Sequence, residues 1–237
     1  MKPKTIFKRY ELKYLITKEQ QAMLLELFDN NMKPDEYGQS SIFNLYYDTP
    51  DYLLIRRSLD KPVYKEKLRL RSYGRATSDS KVFLELKKKY DDIVYKRRMS
   101  LIESNAMKYF EDDYTLPNTQ IAKEIEYFKT MYPDLAPRML ISYNRQSFFG
   151  NDDFDFRVTF DENILWRDSD LDLKSEEYGN RIIPEDMVLM EVKVSGGIPL
   201  WLTHFLTENN IYKRSFSKYG TAYKEMIIAK KGATHAA

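Results

Sequence analysis

The sequence predicts an α+β domain built on an antiparallel sheet of about eight strands, an even set that can close into a barrel, with helices packed outside. Three observations predict it. Charged side chains recur at every second position in many short segments, as in Arg9, Glu11 and Lys13, in Lys67, Arg69 and Arg71, and in Glu85, Lys87 and Lys89. A strand sends residues i and i+2 to the same face, so each such segment has one charged and one apolar side. Turn signals such as "DTPD", "GRATSDS" and "GNDD" separate the segments. Stretches with apolar residues at helical spacing lie between and after them.

The elements follow in order. Residues 6–16 read as a strand rich in aromatic and β-branched residues. Thr17 then caps a helix over 18–30, with Gln20 at the capping-box position and Met23, Leu24, Leu27 and Phe28 at helical spacing. Residues 41–47 form a strand closed by "DTPD", and 51–58 a short helix. Residues 63–73, 81–90 and 93–101 make three strands, and 103–112 and 119–131 are helical. Residues 138–149 and 154–165 pair across "GNDD", with 166–173 as an extension of that pairing. Residues 187–194 are the last strand, a helix opens at Pro199, and a final helix spans 218–230. There is one crossover, and no internal repeat or linker interrupts the chain, so residues 1–230 read as one domain and 231–237 as a disordered tail.

Composition narrows the chemistry. With no cysteine, the chain has no disulfide, thiolate metal site or cysteine nucleophile. Its two histidines, His204 and His235, argue against a multi-histidine metal site. His204, between Trp201 and Phe205, reads as a packing residue. A bound metal therefore rests on carboxylates, which suits a hard ion such as Mg²⁺ or Mn²⁺. A net charge of +2 supplies no global field for nucleic acid. The N-terminus lacks the apolar core of a signal peptide and no stretch is long and apolar enough to span a bilayer, so the expected compartment is the cytoplasm. No Walker loop, nucleophile elbow or GxGxxG occurs.

The alternation assigns the faces. One face carries Arg9, Glu11 and Lys13; Lys67, Arg69 and Arg71; Glu85, Lys87 and Lys89; Lys96 and Arg98; Tyr143 and Arg145; Arg157, Thr159 and Asp161; and Glu191 and Lys193. The opposite face carries Leu12, Tyr14, Leu68, Leu70, Val82, Leu84, Leu86, Val158, Phe160, Met190 and Val192. On any one strand the bland alternative is a solvated face. Across seven segments the cations outnumber the acids too heavily for that. A water-filled tunnel holding a polyanion explains them better, since arginine grips phosphate oxygens with its fork and lysine with point charge. Glu191 is the leading metal ligand, with Glu11, Glu85 and Asp161 behind it; the alternative is that these acids pair with neighbouring cations. Ser217 and Lys218 open the last helix, where free N–H groups favour phosphate, although a plain N-cap serine fits equally.

The segments "RYELKYLI", "LYYDTPD", "KLRLRSYG", "FLELKKK…YKRR", "ISYNRQSF…FRVTFDENI", "LMEVKV" and "SFSKYGTAY" together resemble the VTC domain, over about residues 7–225 and in the family's order. That is the polyphosphate polymerase domain of the vacuolar transporter chaperone complex, which has bacterial stand-alone relatives and is grouped with the CYTH-like triphosphate tunnel metalloenzymes. The resemblance implies a closed antiparallel tunnel barrel that binds a triphosphate and a divalent metal, and transfer of the ATP γ-phosphate to a growing polyphosphate chain. It implies catalytic roles for Lys13, Arg69, Arg71, Lys87, Arg145 and Arg157. It implies phosphate contacts for Lys67, Lys96 or Arg98, Tyr143, Lys193, Ser217 and Lys218, and metal at Glu191, with Glu11 and Glu85 as further candidates. The superfamily's E-x-E-x-K is here Arg9 to Lys13, with a cation for the first glutamate, which favours the polymerase type over the hydrolytic CYTH type. Implied partners are ATP or another triphosphate and inorganic polyphosphate or pyrophosphate. Lacking an SPX domain and membrane helices, these 237 residues would rely on a membrane-protein partner for any translocation. The alternatives are a triphosphatase and a non-catalytic polyphosphate- or nucleotide-binding module.

Overall fold

The structure, a computed structural model, describes residues 10–91 and 93–235. The chain runs β1 (Tyr10–Thr17), α1 (Lys18–Asn31), β2 (Met32–Asp48), α2 (Leu53–Leu59), β3 (Tyr64–Tyr73), β4 (Lys81–Tyr90), β5 (Ile93–Ile102), α3 (Glu103–Phe110), α4 (Gln120–Met131), β6 (Ala136–Gly150), β7 (Arg157–Arg167), β8 (Asn180–Arg181), β9 (Met187–Val194), α5 (Leu200–Glu208) and α6 (Lys218–His235). Hydrogen bonds order the strands β1-β9-β7-β6-β2-β3-β4-β5, with the short β8 on β7. The α+β class and the strand count agree with the sequence. Closure does not: hydrogen bonds leave the sheet open, with β1 and β5 as its ends among the described residues. Alternation assigns faces to residues but carries no information on whether edge strands pair. Arg9 lies outside the described residues.

The contacts divide the chain into two compact units. The first takes residues up to 40, 143–164 and 183–216. Here β9 is flanked by β1 and β7, with Leu12, Val192 and Val158 in one register row and Tyr14, Met190 and Phe160 in the next. These rows build a core with Leu24 and Phe28 of α1 and Leu202, Phe205 and Leu206 of α5. Thr17 starts α1 through the expected capping box: its Oγ1 accepts from Gln20 N at 3.1 Å, and its own N–H donates to Gln20 Oε1 at 3.0 Å. His204 is exposed, not packed. Leu202, Phe205 and Leu206 take the buried stripe of α5, and the helical step of 100° turns position 204 to solvent.

The second unit takes residues 41–142, 165–182 and 217 onward. β2, β3, β4 and β5 form an antiparallel meander here. Leu45, Leu68, Leu70, Leu84 and Leu86 are fully buried in its core, with Ala106 of α3 and Ile125 and Phe128 of α4. Each such leucine contributes about 1.5–3 kcal/mol by leaving water.

Three elements differ from expectation. β2 starts at Met32, although Pro34 and Gly38 read as breakers; it continues because β6 pairs beside it, and Gly38 absorbs a left-handed step at φ 53°. The strand extension over 166–173 stops at Arg167. That guanidinium instead donates to the carbonyls of Asp170, Glu176 and Tyr178 at 3.0–3.1 Å, so the following backbone folds around it. α6 continues to His235, into the stretch expected as a disordered tail.

Candidate phosphate-binding and metal-binding residues

In the first unit the register assembles a charged lattice. Lys13 stands opposite Glu191, which stands opposite Thr159; Glu11 stands opposite Lys193, which stands opposite Arg157. Lys13 Nζ lies 3.2 Å from Glu11 Oε1 and 3.6 Å from Glu191 Oε1, and donates to the Phe216 carbonyl at 3.0 Å. Glu191 Oε2 accepts from Lys193 Nζ at 3.2 Å and from Arg145 Nη2 at 3.4 Å. Arg145 also grips the fully buried Asp161 with both arms of its fork, at 2.5 and 2.6 Å, and lies 5.2 Å from the Tyr143 ring centroid. Burial alone would lower the Arg145 pKa, but Asp161, Tyr143 and Glu191 hold it well above the ordinary arginine value. Arg157 is exposed at its register position.

The second unit centres on Glu85, which is 1% exposed. Arg69 Nε donates to its Oε2 at 2.8 Å, Arg98 Nε to its Oε1 at 2.6 Å, and Lys96 Nζ lies 2.6 Å from Oε1, with Arg71 Nε at 4.0 Å from Oε2. Burial pushes the Glu85 carboxyl up, yet these cations overcome it and hold the pKa far below the carboxylate range. Arg71 also donates to Asn44 Oδ1 at 2.8 Å, Arg69 to the Tyr46 hydroxyl at 3.1 Å, and Arg98 to the Tyr73 hydroxyl at 2.7 Å. Lys87 stands between Lys67 and Lys96 in register. Lys67 Nζ donates to Ser217 Oγ at 3.0 Å, and Ser217 Oγ accepts the Gly220 N–H at 3.1 Å, so Ser217 caps α6 and meets a lysine at once. Lys218 beside it is buried. The start of α6 is pinned by Asp48, which accepts from the Tyr219 hydroxyl at 2.9 Å and from the N–H groups of Thr49, Leu54 and Ile55.

The structure thus brings together Glu11, Lys13, Arg145, Glu191 and Lys193 in one unit, and Lys67, Arg69, Arg71, Glu85, Lys96, Arg98 and Ser217 in the other. The sequence reading passed over Asn44, Tyr46, Tyr73 and Asp48. Asn44 and Tyr46 alternate in "SIFNLYY", and register places them opposite Arg71 and Arg69, so the same parity rule reaches them. Asp48 gives no such signal, because its partners are backbone groups and a tyrosine far along the chain.

The two carboxylates offered for metal differ in chemistry. Glu85 is enclosed by arginines and a lysine. Glu191 has Glu11 as a second carboxylate on the same lysine, and the buried Thr159 hydroxyl in its register row has no hydrogen-bond partner. Among the described residues no three Asp, Glu or His side chains gather. Two carboxylates with an unsatisfied hydroxyl fit a hard ion that takes its remaining ligands from substrate phosphates and water.

The VTC domain family matches residues 8–227, most of the chain and both units. The chain belongs to the VTC domain family. Two solved structures resemble this VTC domain. One is a Bacillus halodurans protein provisionally assigned as an adenylate cyclase, 14% identical, with a TM-score of 0.56 over 90% of this chain and 94% of that one. The other, from Hippeastrum, is provisionally assigned as an adenylyl cyclase and described as having a dominant triphosphatase activity; it is 15% identical, with a TM-score of 0.56 over 91% of this chain and 95% of that one. At such identity the likeness shows the fold, in keeping with the superfamily that the sequence resembles. No curated protein matches this VTC domain.

Desolvation beside its neighbours lowers the Lys96 ammonium pKa to about 8 although 43% of the side chain stays exposed; Glu85 opposes the shift, and Arg98 and Arg69 add to it. If Lys96 must be charged to hold phosphate, kcat/KM for a triphosphate should fall as pH rises through about 8. Lys96→Arg, which stays charged, should move that limb upward. A limb unmoved by this substitution would assign the titration to another group.

Proposed function

We propose that this VTC domain is a metal-dependent polyphosphate polymerase that transfers the γ-phosphate of ATP to a growing inorganic polyphosphate chain. We read residues 1–230 as one functional domain, which the span of the family match supports. The observation that carries the chemistry is the engagement of every charged-face carboxylate by cations. Both Asp161 oxygens accept from Arg145, Glu191 is held by Lys13, Lys193 and Arg145, and Glu85 sits far below the ordinary carboxylate range. Such groups serve poorly as bases toward water. A phosphate nucleophile arrives as an anion and needs no base, only positioning and charge neutralisation.

In this reading Arg69, Arg71, Lys87, Lys96 and Arg98 bind phosphate oxygens of the triphosphate, with Lys67, Ser217 and Lys218 adding contacts at the start of α6. Lys13, Arg145, Arg157, Tyr143 and Lys193 make the corresponding contacts of the first unit. Glu191 and Glu11 would hold Mn²⁺ or Mg²⁺, which supplies Lewis-acid neutralisation of phosphoryl charge when bound. Glu85 orders cations instead of binding metal. The likeness to a protein described as a triphosphatase keeps hydrolysis as the second reading.

Purified protein with ATP and Mn²⁺ should produce a polyphosphate ladder on a gel. Glu191→Ala should abolish the ladder and raise the Mn²⁺ concentration needed for any residual turnover, with ATP affinity less affected. Phosphate release without a ladder would replace polymerisation by hydrolysis. Unchanged metal dependence in Glu191→Ala would move the metal elsewhere.

A further inference from the structure

Within the second unit, Asn44 stands on β2 opposite Arg71 of β3, with β6 on the other side of its strand. Its buried amide bridges the two neighbours. Oδ1 accepts from Arg71 Nε at 2.8 Å, and Nδ2 donates to the Ile141 carbonyl of β6 at 3.1 Å. A guanidinium only donates and a backbone carbonyl only accepts, so these partners fix which way the amide points. The bond to β6 anchors the side chain, and the anchored oxygen holds Arg71.

The arginines around Glu85 are held in two ways. Arg69 Nε and Arg98 Nε each donate to a Glu85 oxygen, at 2.8 and 2.6 Å. Arg71 Nε lies 4.0 Å from Glu85 Oε2 and gives its hydrogen bond to the neutral amide. The Tyr73 hydroxyl meets Arg71 as well. A carboxylate in the place of Asn44 would pair with the guanidinium and offset much of its charge, whereas an amide directs it and adds no charge. Arg71 is also the least exposed of the four cations on Glu85, 7% at the side chain against 20–43% for Arg69, Arg98 and Lys96. Few of its atoms can meet a phosphate, so its aim decides whether they do. An error of about 1 Å in a positioned group can cost about a hundredfold in rate.

We propose that Asn44 is a positioning residue for triphosphate binding, which aims Arg71 through its Nε and leaves the guanidinium charge for the phosphates. The role rests on the reading of Arg71 as a phosphate-binding residue and holds whether the acceptor is polyphosphate or water.

The test is calorimetric binding of tripolyphosphate to wild type, Asn44→Ala, Arg71→Ala and the double variant, with melting temperatures measured alongside. Asn44→Ala should weaken binding about tenfold in the wild-type background and by less than about twofold in the Arg71→Ala background, because Asn44 acts through Arg71. Asn44→Asp keeps the size of the side chain and an acceptor for Arg71, and should weaken binding at least as much as Asn44→Ala. Equal losses in the two backgrounds, or an Asn44→Asp affinity within about twofold of wild type, overturn the positioning role and leave the phosphate-binding reading of Arg71 standing. A lower melting temperature with unchanged tripolyphosphate affinity overturns it too, and makes Asn44 a packing residue. Full affinity in Arg71→Ala overturns the reading of Arg71 and the role of Asn44 together.

Discussion

Glu85→Gln should lower the stability of the ligand-free protein by about 2–3 kcal/mol, and added tripolyphosphate should restore it. Breaking a fully buried ion pair costs about 3–5 kcal/mol, because it strands a charge in low dielectric. The four cations around Glu85 are 7–43% exposed at the side chain, so water and salt screen part of that loss. Without the carboxylate, Arg69, Arg71, Lys96 and Arg98 repel one another, and a bound anion supplies the counter-charge that Glu85 gave them. Thermal unfolding should show a larger rise with tripolyphosphate in the variant than in wild type, and a partial rise with salt. The pH dependence gives a second signature. The folded-state pKa of Glu85 is depressed, so its contribution is complete above the unfolded value of about 4.3 and is lost as pH falls through the folded one. Wild type should therefore lose more stability than the variant on acidification below about pH 4. A stable variant that instead needs more Mn²⁺ would return Glu85 to the metal.

Arg145→Ala should be the most damaging single change in the first unit, costing about 3–5 kcal/mol together with activity. It leaves Asp161, which is fully buried, without the guanidinium that satisfies both of its oxygens, and deprives Glu191 of one cation. Combining it with Asp161→Asn should cost less than the sum of the two single changes, with a coupling of about 1–3 kcal/mol. Urea unfolding of the four-protein cycle measures this. Additive losses, or a loss below about 1 kcal/mol for Arg145→Ala, would show that the pair contributes little to the fold.

The parity of the strands was legible residue by residue. Lys13, Glu191 and Thr159 share one face as their alternation requires, and Leu12, Val192 and Val158 share the other. The capping box at Thr17 and the strand over 187–194 were likewise readable, because both signals are local in the chain. His204 was misread because an apolar neighbourhood in sequence does not give the angle around a helix. The first half of β2 was missed because Pro34 and Gly38 discourage a strand locally, and only the pairing with β6 compensates.

By itself the sequence determined the α+β class, the order of the strands along the chain, and the side of each strand that carries charge. All three follow from periodicity and turn chemistry, which act over a few residues. Only the tertiary structure decided which cations meet which acids: four basic side chains on Glu85, a bidentate clamp on Asp161, and Glu11 beside Glu191. It also decided that, among the described residues, hydrogen bonds leave the sheet open. Those outcomes depend on register between strands distant in sequence and on which buried charges find partners. A period of two marks a face but cannot encode either.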